Sequence, residues 1–120
     1  MSKRAYRRIP ASMLVKFIHC DSMCYGIVTN ISENGMCIRS GFCLPHDTEA
    51  MLFIPLKDKN LEVLAEVKWV KKTSSYYDTM GVALPAPPDK YSQIVDNIKV
   101  ADKLANKAVD SRFDNSLKIE

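Results

Sequence analysis

The chain of 120 residues is long enough for one domain with a modest core, and its 47% hydrophobic and 26% charged residues are typical of a globular protein. No apolar run approaches the ~20 residues of a membrane span. The start of the chain carries no secretion signal, so we expect a cytoplasmic protein without membrane insertion. Residues 3–8 carry four of the positive charges, which favours a compact anionic ligand over a long polyanion.

Residues 1–11 are interpreted as a basic N-terminal arm. Within it, Arg4 and Arg8 frame an Arg-x-x-x-Arg pattern, and Ile9-Pro10 ends the arm because proline keeps the chain extended. The arm has no apolar stripe of its own, so we expect it to be mobile without a ligand and ordered with one. A basic terminus that only improves solubility is the alternative interpretation.

Six short apolar runs with turn signals between them predict β-strands. They cover residues 13–19, 25–32, 36–40, 49–56, 61–70 and 80–84. The first turn is predicted at Asp21-Ser22. The fifth run alternates most clearly, and its apolar residues are Leu61, Val63, Ala65, Val67 and Trp69. Six strands at hairpin spacing predict a barrel or a sandwich, since closure removes exposed sheet edges.

The end of the second strand carries an Asn-x-Ser-x-x-Gly pattern formed by Asn30, Ser32 and Gly35. Alternation of side chains places Asn30 and Ser32 on one face, and Ile27, Thr29 and Ile31 on the other. Asn34-Gly35 is predicted to form the turn, because both residues tolerate positive φ. An ordinary hairpin turn without a binding role is the simplest interpretation of this stretch alone.

A helix is predicted over residues 89–115, after the prolines at 85, 87 and 88 interrupt the β pattern. Its apolar stripe consists of Tyr91, Ile94, Val95, Ile98, Ala101, Ala105, Ala108, Val109 and Phe113. We expect the first half to pack on the barrel. The alanine-rich second half is interpreted as either fraying or supporting weak homodimerisation, with residues 114–120 as a frayed end. The chain therefore divides into residues 1–11, a barrel domain over 12–98, and a helix extension over 99–120.

Four cysteines occur, at positions 20, 24, 37 and 43, and without a secretion signal they are expected to be reduced thiols. Their spacing is not that of a zinc knuckle, and His19 and His46 do not complete a recognised metal pattern. Cys37 falls inside a strand as a small apolar residue. The chain also lacks a nucleophile elbow and a Walker-type phosphate loop. We therefore predict no metal, no cofactor and no enzymatic activity.

The Arg-x-x-x-Arg pattern followed by Asn-x-Ser-x-x-Gly resembles the PilZ domain, the bacterial receptor module for cyclic di-GMP (c-di-GMP). The resemblance covers residues 4–95 and includes the segments 67–70 and 80–84, which are similar to the last two strands of the family. It implies a mainly β protein, a six-stranded antiparallel split β-barrel with a C-terminal α-helix. It also implies c-di-GMP as the ligand.

The resemblance assigns roles to five residues. Arg4 and Arg8 would bind guanine edges and phosphates, because the planar guanidinium donates in pairs to both groups and also stacks on rings. Asn30, Ser32 and Gly35 would hold the other side of the ligand through side-chain and backbone hydrogen bonds.

Three further residues are weighed as contacts. Arg7 is a plausible extra contact, although the motif does not define its position. Trp69 occupies a place where the family can have an aromatic near the ligand, but core packing is favoured because the residue continues an apolar face. Arg39 is interpreted as a solvated charge.

The predicted function is that of a c-di-GMP receptor with micromolar or better affinity, whose arm folds over the ligand and which signals to a protein partner. A small-barrel nucleic-acid binder is one alternative. We find no stacking aromatics of the usual kind on exposed strand faces, so no nucleic-acid partner is expected. A PilZ-type interaction module with a degenerate site is the other alternative, and the two intact motifs argue against it.

Overall fold

The computed structural model describes the backbone of residues 8–119 and the side chains of residues 8–105. Its elements are β1 (Ile9–His19), β2 (Ser22–Ser32), β3 (Gly35–Ser40), β4 (Glu49–Pro55), β5 (Asn60–Lys71), β6 (Asp78–Ala83) and α1 (Asp89–Ile119). The strands form a closed antiparallel barrel in the order β1-β2-β3-β6-β5-β4. The predicted fold class, a six-stranded barrel with one C-terminal helix, is confirmed.

One face of each long strand fills the barrel. In β5 the side chains of Val63, Ala65 and Val67 are buried, as the alternating pattern predicts. In β1 the side chains of Val15 and Phe17 are buried in the same core. The opposite face of β1 remains largely outside, which gives the barrel wall an inner and an outer surface.

Strand β1 begins at Ile9, four residues before the predicted start. Ile9 is 2% exposed and belongs to the core, and Pro10 pairs with Asn30 of β2. The register shifts between Pro10 and Met13. Proline is tolerated at the start of a strand and beside a bulge, so Pro10 can occupy this position while Ile9 is buried in the core. The division of the chain into arm, barrel domain and helix extension stays a prediction.

Two further register shifts break the alternation of side chains. One lies between Val28 and Asn30 in the β2–β3 pairing. Beyond it Ile31 is buried, whereas Ile27 is exposed, so the predicted common face of these residues is wrong. The other shift lies between Val67 and Trp69 in the β5–β6 pairing. Trp69 is 40% exposed as a result, and the expectation that it packs in the core is wrong.

Both hairpin turns next to β2 lie one residue earlier than predicted. The β1–β2 turn consists of Cys20 and Asp21, with His19 paired to Ser22. The β2–β3 turn consists of Glu33 and Asn34, with Ser32 paired to Gly35.

No glycine among the described residues has positive φ, and neither does Asn34, so the predicted reason for the Asn34-Gly35 pair is wrong. Gly35 instead permits a close approach of two strands, since a Cβ there would lie 2.7 Å from the Val82 carbonyl oxygen.

Helix α1 has 31 residues and therefore spans about 46 Å. In its first half Tyr91 and Val95 are fully buried, and Ile94 and Ile98 pack partly against the core, as predicted. The backbone is helical to Ile119, so the frayed end predicted for residues 114–120 is not observed over 114–119. Ala101 is exposed, and dimerisation through the second half stays a prediction. Among the described residues, no helix is both long and apolar enough to cross a membrane.

Candidate functional site

Arg8, which directly precedes β1, lies together with Asn30 near the end of β2 and Cys37 of β3. The Arg8 guanidinium donates a hydrogen bond of 2.7 Å to Asn30 Oδ1, and the same nitrogen lies 3.4 Å from Cys37 Sγ. Asn30 and Cys37 are direct partners across the β2–β3 pairing. Among the described residues Arg8 makes no salt bridge, so its charge is available to an anion.

These groups line a cavity of about 350 Å³, which we call the arginine cavity. Its lining residues are Arg8, Ile9, Pro10, Thr29, Asn30, Cys37 and Trp69. The Trp69 ring lies close against β6, where a Cβ on Gly81 would be only 2.1 Å from a ring atom. The cavity therefore combines a guanidinium and an amide with an aromatic side chain. Such a combination can bind an anion and a flat ring together.

Ser32 and Gly35 flank the β2–β3 turn and do not line this cavity. Ser32 is 2% exposed, and its hydroxyl donates to Asn34 Oδ1 at 3.2 Å. Gly35 is buried at the start of β3. The structure thus brings Arg8, Asn30 and Trp69 into one cavity and places Ser32 and Gly35 on either side of the neighbouring turn. Arg4 and Arg7, with the rest of residues 1–7, lie outside the described part of the chain.

Helix α1 and Leu84, the residue after β6, form hydrogen bonds with the β2–β3 turn and its flanking residues. The Tyr91 hydroxyl lies 2.7 Å from the Ser32 carbonyl oxygen and 3.1 Å from that of Gly35. Burial raises the pKa of the Tyr91 phenol, so the group stays protonated and donates to these acceptors. The Leu84 N–H also donates to the Asn34 carbonyl at 2.9 Å.

An ion pair adds a second connection between the helix and the turn. The Lys99 ammonium donates to Glu33 Oε2, with both side chains partly exposed. This hydrogen bond lowers the pKa of the Glu33 carboxyl below its usual value of 4.5. The turn between β2 and β3 is therefore supported by two residues of α1 that lie eight positions apart.

A second cavity of about 420 Å³ lies on the outer face of β1–β3, and we call it the tyrosine groove. It is lined by Leu14, Tyr25, Gly26, Ile27, Thr29, Arg39, Ser40, Gly41 and Tyr77. Arg39 is exposed, as expected for a solvated charge, and its guanidinium carbon lies 5.5 Å from the centre of the Tyr77 ring. Thr29 lines both cavities, so the two are neighbours.

Aromatic side chains are exposed around the arginine cavity and the tyrosine groove, contrary to the expectation from the sequence. Tyr25, Trp69 and Tyr77 are each at least 40% exposed, and Tyr25 and Trp69 lie on strands. The sequence argument against nucleic-acid binding, which assumed that exposed stacking aromatics were missing, is therefore wrong. Within the part of the chain that the structure describes, no three His, Cys, Asp or Glu side chains are grouped to hold a metal ion.

Sequence reasoning missed Cys37 as a lining residue. With the turn predicted at Asn34-Gly35, the residue opposite Asn30 would have been Arg39, whereas the actual turn places Cys37 there. A correct choice of turn would have found it. Tyr91 and Lys99 had no comparable signal, because each contacts the turn across more than fifty residues of sequence.

A family model for the PilZ domain matches residues 2–99. The chain belongs to the PilZ domain family. The match extends the resemblance of residues 4–95 and includes both motifs and the first part of α1. PilZ domains are receptor and effector modules and are generally not enzymes. Comparison with curated proteins gave no significant match.

Solved PilZ structures share the fold of this PilZ chain. It is similar to YcgR in complex with c-di-GMP from Escherichia coli, with a TM-score of 0.73, 16% identity and coverage of 91% of this chain and 50% of that one. It is similar to the Bacillus subtilis inhibitor of motility MotI/DgrA, with a TM-score of 0.68, 18% identity and coverage of 88% and 53%.

The separate PilZ domain of Escherichia coli YcgR with c-di-GMP gives a TM-score of 0.71 at 12% identity, with 91% of this chain and 98% of that one covered. The chain therefore spans about half the length of the YcgR and MotI chains and nearly all of an isolated PilZ domain.

Proposed function

We propose that this PilZ domain is a receptor for c-di-GMP and that the arginine cavity holds part of the ligand. The observation that carries the proposal is the group formed by Arg8, Asn30 and Trp69 in one cavity of a PilZ fold. Two of its solved structural relatives are complexes with c-di-GMP. Membership of the family and this site chemistry support the same ligand.

The chemistry of c-di-GMP fits these side chains. The ligand has two phosphates and two guanines, and a guanidinium can donate in pairs to a phosphate or to guanine O6 and N7. Asn30 already accepts a hydrogen bond from Arg8, so the amide holds the guanidinium at the cavity before the ligand arrives. Trp69 offers an exposed ring for stacking on a base, a contact that contributes about 1–3 kcal/mol.

Arg4 and Arg7 would approach the ligand from the N-terminal arm. Ordering of the arm over the ligand would convert binding into a change of surface that a protein partner can recognise. This switch, the partner and a cytoplasmic location are parts of the proposal. Protease digestion that cuts near residues 4–8 at equal rates with and without c-di-GMP would contradict closure of the arm.

Isothermal titration calorimetry tests the ligand. The purified chain should show saturable heat with c-di-GMP, a dissociation constant of about 1 μM or lower, and little heat with GMP. A single-stranded oligonucleotide titrated at moderate salt is the necessary comparison, because exposed aromatics on a chain with a basic N-terminal sequence also suit nucleic acid. Saturable oligonucleotide binding without c-di-GMP binding would replace the receptor by a nucleic-acid-binding protein.

A matched pair of arginine variants tests the location. Arg8→Ala should weaken c-di-GMP binding tenfold or more, since a charge-assisted hydrogen bond contributes roughly 1.5–3 kcal/mol. Arg39→Ala removes the same group from the tyrosine groove and should leave affinity within about twofold of the parent. A larger loss for Arg39→Ala than for Arg8→Ala would move the ligand to the groove.

A further inference from the structure

Helix α1 contacts both pieces of chain that support the arginine cavity. Tyr91 and Lys99 contact the β2–β3 turn, as described above. The same helix, together with the start of β1, borders a cavity of about 440 Å³ that is lined by Pro10, Ala11, Ser12, Met13, Ile94, Asn97, Ile98, Ala101 and Asp102. Since Arg8 directly precedes β1, the helix lies against the elements on both flanks of the cavity.

The two helix contacts differ in character. Tyr91 is fully buried, and its hydroxyl joins the carbonyl groups on either side of the turn, those of Ser32 and Gly35. Lys99 and Glu33 form a partly exposed ion pair at the tip of the same turn. Loss of the buried tyrosine would disturb folding, whereas a partly exposed ion pair contributes little to overall stability. The ion pair therefore lets the position of the turn be changed while the fold is kept.

We propose that Glu33 and Lys99, together with Tyr91, are positioning residues that couple the C-terminal helix to the β2–β3 turn, and through it to the arginine cavity. Docking of the helix then sets the affinity of the site for c-di-GMP. This inference rests on the proposed function and adds a regulatory connection to it. Anything that displaces α1, such as a partner that binds its exposed surface, would weaken nucleotide binding.

The coupling follows from the fraction of molecules in which the turn has the arrangement that permits binding. A ligand binds only the fraction of molecules in which the site has the competent arrangement, so its apparent dissociation constant rises as that fraction falls. The Lys99–Glu33 pair favours the arrangement in which the turn lies beside the cavity. By reciprocity, c-di-GMP bound in the arginine cavity must favour the docked helix by the same factor.

Calorimetry on the full chain tests the coupling with point variants. Glu33→Gln and Lys99→Met should each raise the dissociation constant for c-di-GMP about two- to fivefold, the range expected for a partly exposed ion pair. Lys103→Met is the matched control, because it removes a lysine one helical turn further along at an exposed position. The double variant Glu33→Lys with Lys99→Glu should regain most of the parent affinity, which a merely structural effect would not produce.

Hydrogen exchange gives an independent measure of the reverse effect. In the parent protein, c-di-GMP should slow amide exchange across residues 94–99, and in Lys99→Met this protection should be smaller. Circular dichroism at the assay temperature checks that every variant is folded.

Three results would overturn the inference, and they are distinguishable from one another. If the parent protein fails to bind c-di-GMP, the proposed function fails and the inference falls with it. If the parent binds and both single variants bind as tightly as Lys103→Met, the function stands and the coupling is wrong. If the single variants weaken binding but the exchanged pair restores nothing, the two side chains act separately and the helix does not position the turn through them.

Discussion

The two turns at the ends of β2 are both two-residue hairpin connections, yet different interactions hold them. At the β1–β2 turn, Cys20 and Asp21 have φ values of 49° and 64°, the left-handed geometry that suits the twist of a tight hairpin. At the β2–β3 turn no residue has positive φ, and support comes from Tyr91, Lys99 and the Leu84 N–H. The first turn is stabilised by local backbone geometry, and the second by tertiary contacts.

This difference coincides with the location of the candidate site. The β2–β3 turn lies beside the arginine cavity, whereas the β1–β2 turn projects Cys20 and Asp21 into solvent. A turn that is supported by other elements can be moved by them, and a locally stabilised turn cannot. The predictions below test whether the two turns respond as differently to substitution as their contacts imply.

The largest effect is expected for Gly35→Ala. The added Cβ would lie 2.7 Å from the Val82 carbonyl oxygen, a backbone atom that cannot rotate away, so the free energy of unfolding should fall by about 1–3 kcal/mol. Gly41→Ala is the control, since its Cβ would meet nothing nearer than the Tyr77 ring at 3.9 Å. Urea unfolding measures both, and equal losses would show that close strand approach is not the reason for Gly35.

Tyr91→Phe should destabilise the protein by about 1–2 kcal/mol, because two buried carbonyls lose a hydrogen-bond donor while the ring packing remains. Tyr25→Phe removes the same hydroxyl from an exposed side chain of β2 and should change stability by no more than about 0.5 kcal/mol. Thermal unfolding followed by circular dichroism compares the pair. A Tyr91 variant as stable as the Tyr25 variant would contradict the support attributed to α1.

The Glu33–Lys99 pair predicts a pH dependence. Because the hydrogen bond from Lys99 lowers the folded-state pKa of Glu33 below 4.5, its stabilisation is present above pH 4.5 and is lost as pH falls through that lower pKa. For a partly exposed pair the contribution is below about 1 kcal/mol. Urea midpoints of the parent and Glu33→Gln should differ at neutral pH and converge as the pH falls below 4.5 through the lowered pKa of Glu33. A constant difference would mean that Glu33 is not the titrating partner.

The smallest effect is expected at the locally stabilised turn. Cys20 has φ 49°, a region that asparagine tolerates better than most side chains. Cys20→Asn should therefore stabilise the protein by about 0.3 kcal/mol. Ser22→Asn is the control at the first position of β2, where asparagine is disfavoured and a small loss is expected. Differential scanning calorimetry would resolve the two shifts, and a lower melting temperature for Cys20→Asn would refute the local origin of this turn.

The sequence by itself determined the six strands, the helix and the two motifs. These features depend on local periodicity: alternation marks β5, and the apolar stripe marks the first half of α1. The Arg-x-x-x-Arg pattern followed by Asn-x-Ser-x-x-Gly indicated the family, and the family match over residues 2–99 confirmed it. Local patterns therefore left a barrel and a sandwich open, and the family resemblance selected the barrel.

Only the tertiary structure decided which side chains meet in that site. A register shift of one residue moves every later side chain to the other face, and for this reason Trp69 lies in the arginine cavity and Ile31 in the core. The β2–β3 turn is contacted by Tyr91 and Lys99 across more than fifty residues of sequence. Such long-range contacts leave no periodic trace along the chain, because each is a single pair formed after the elements pack.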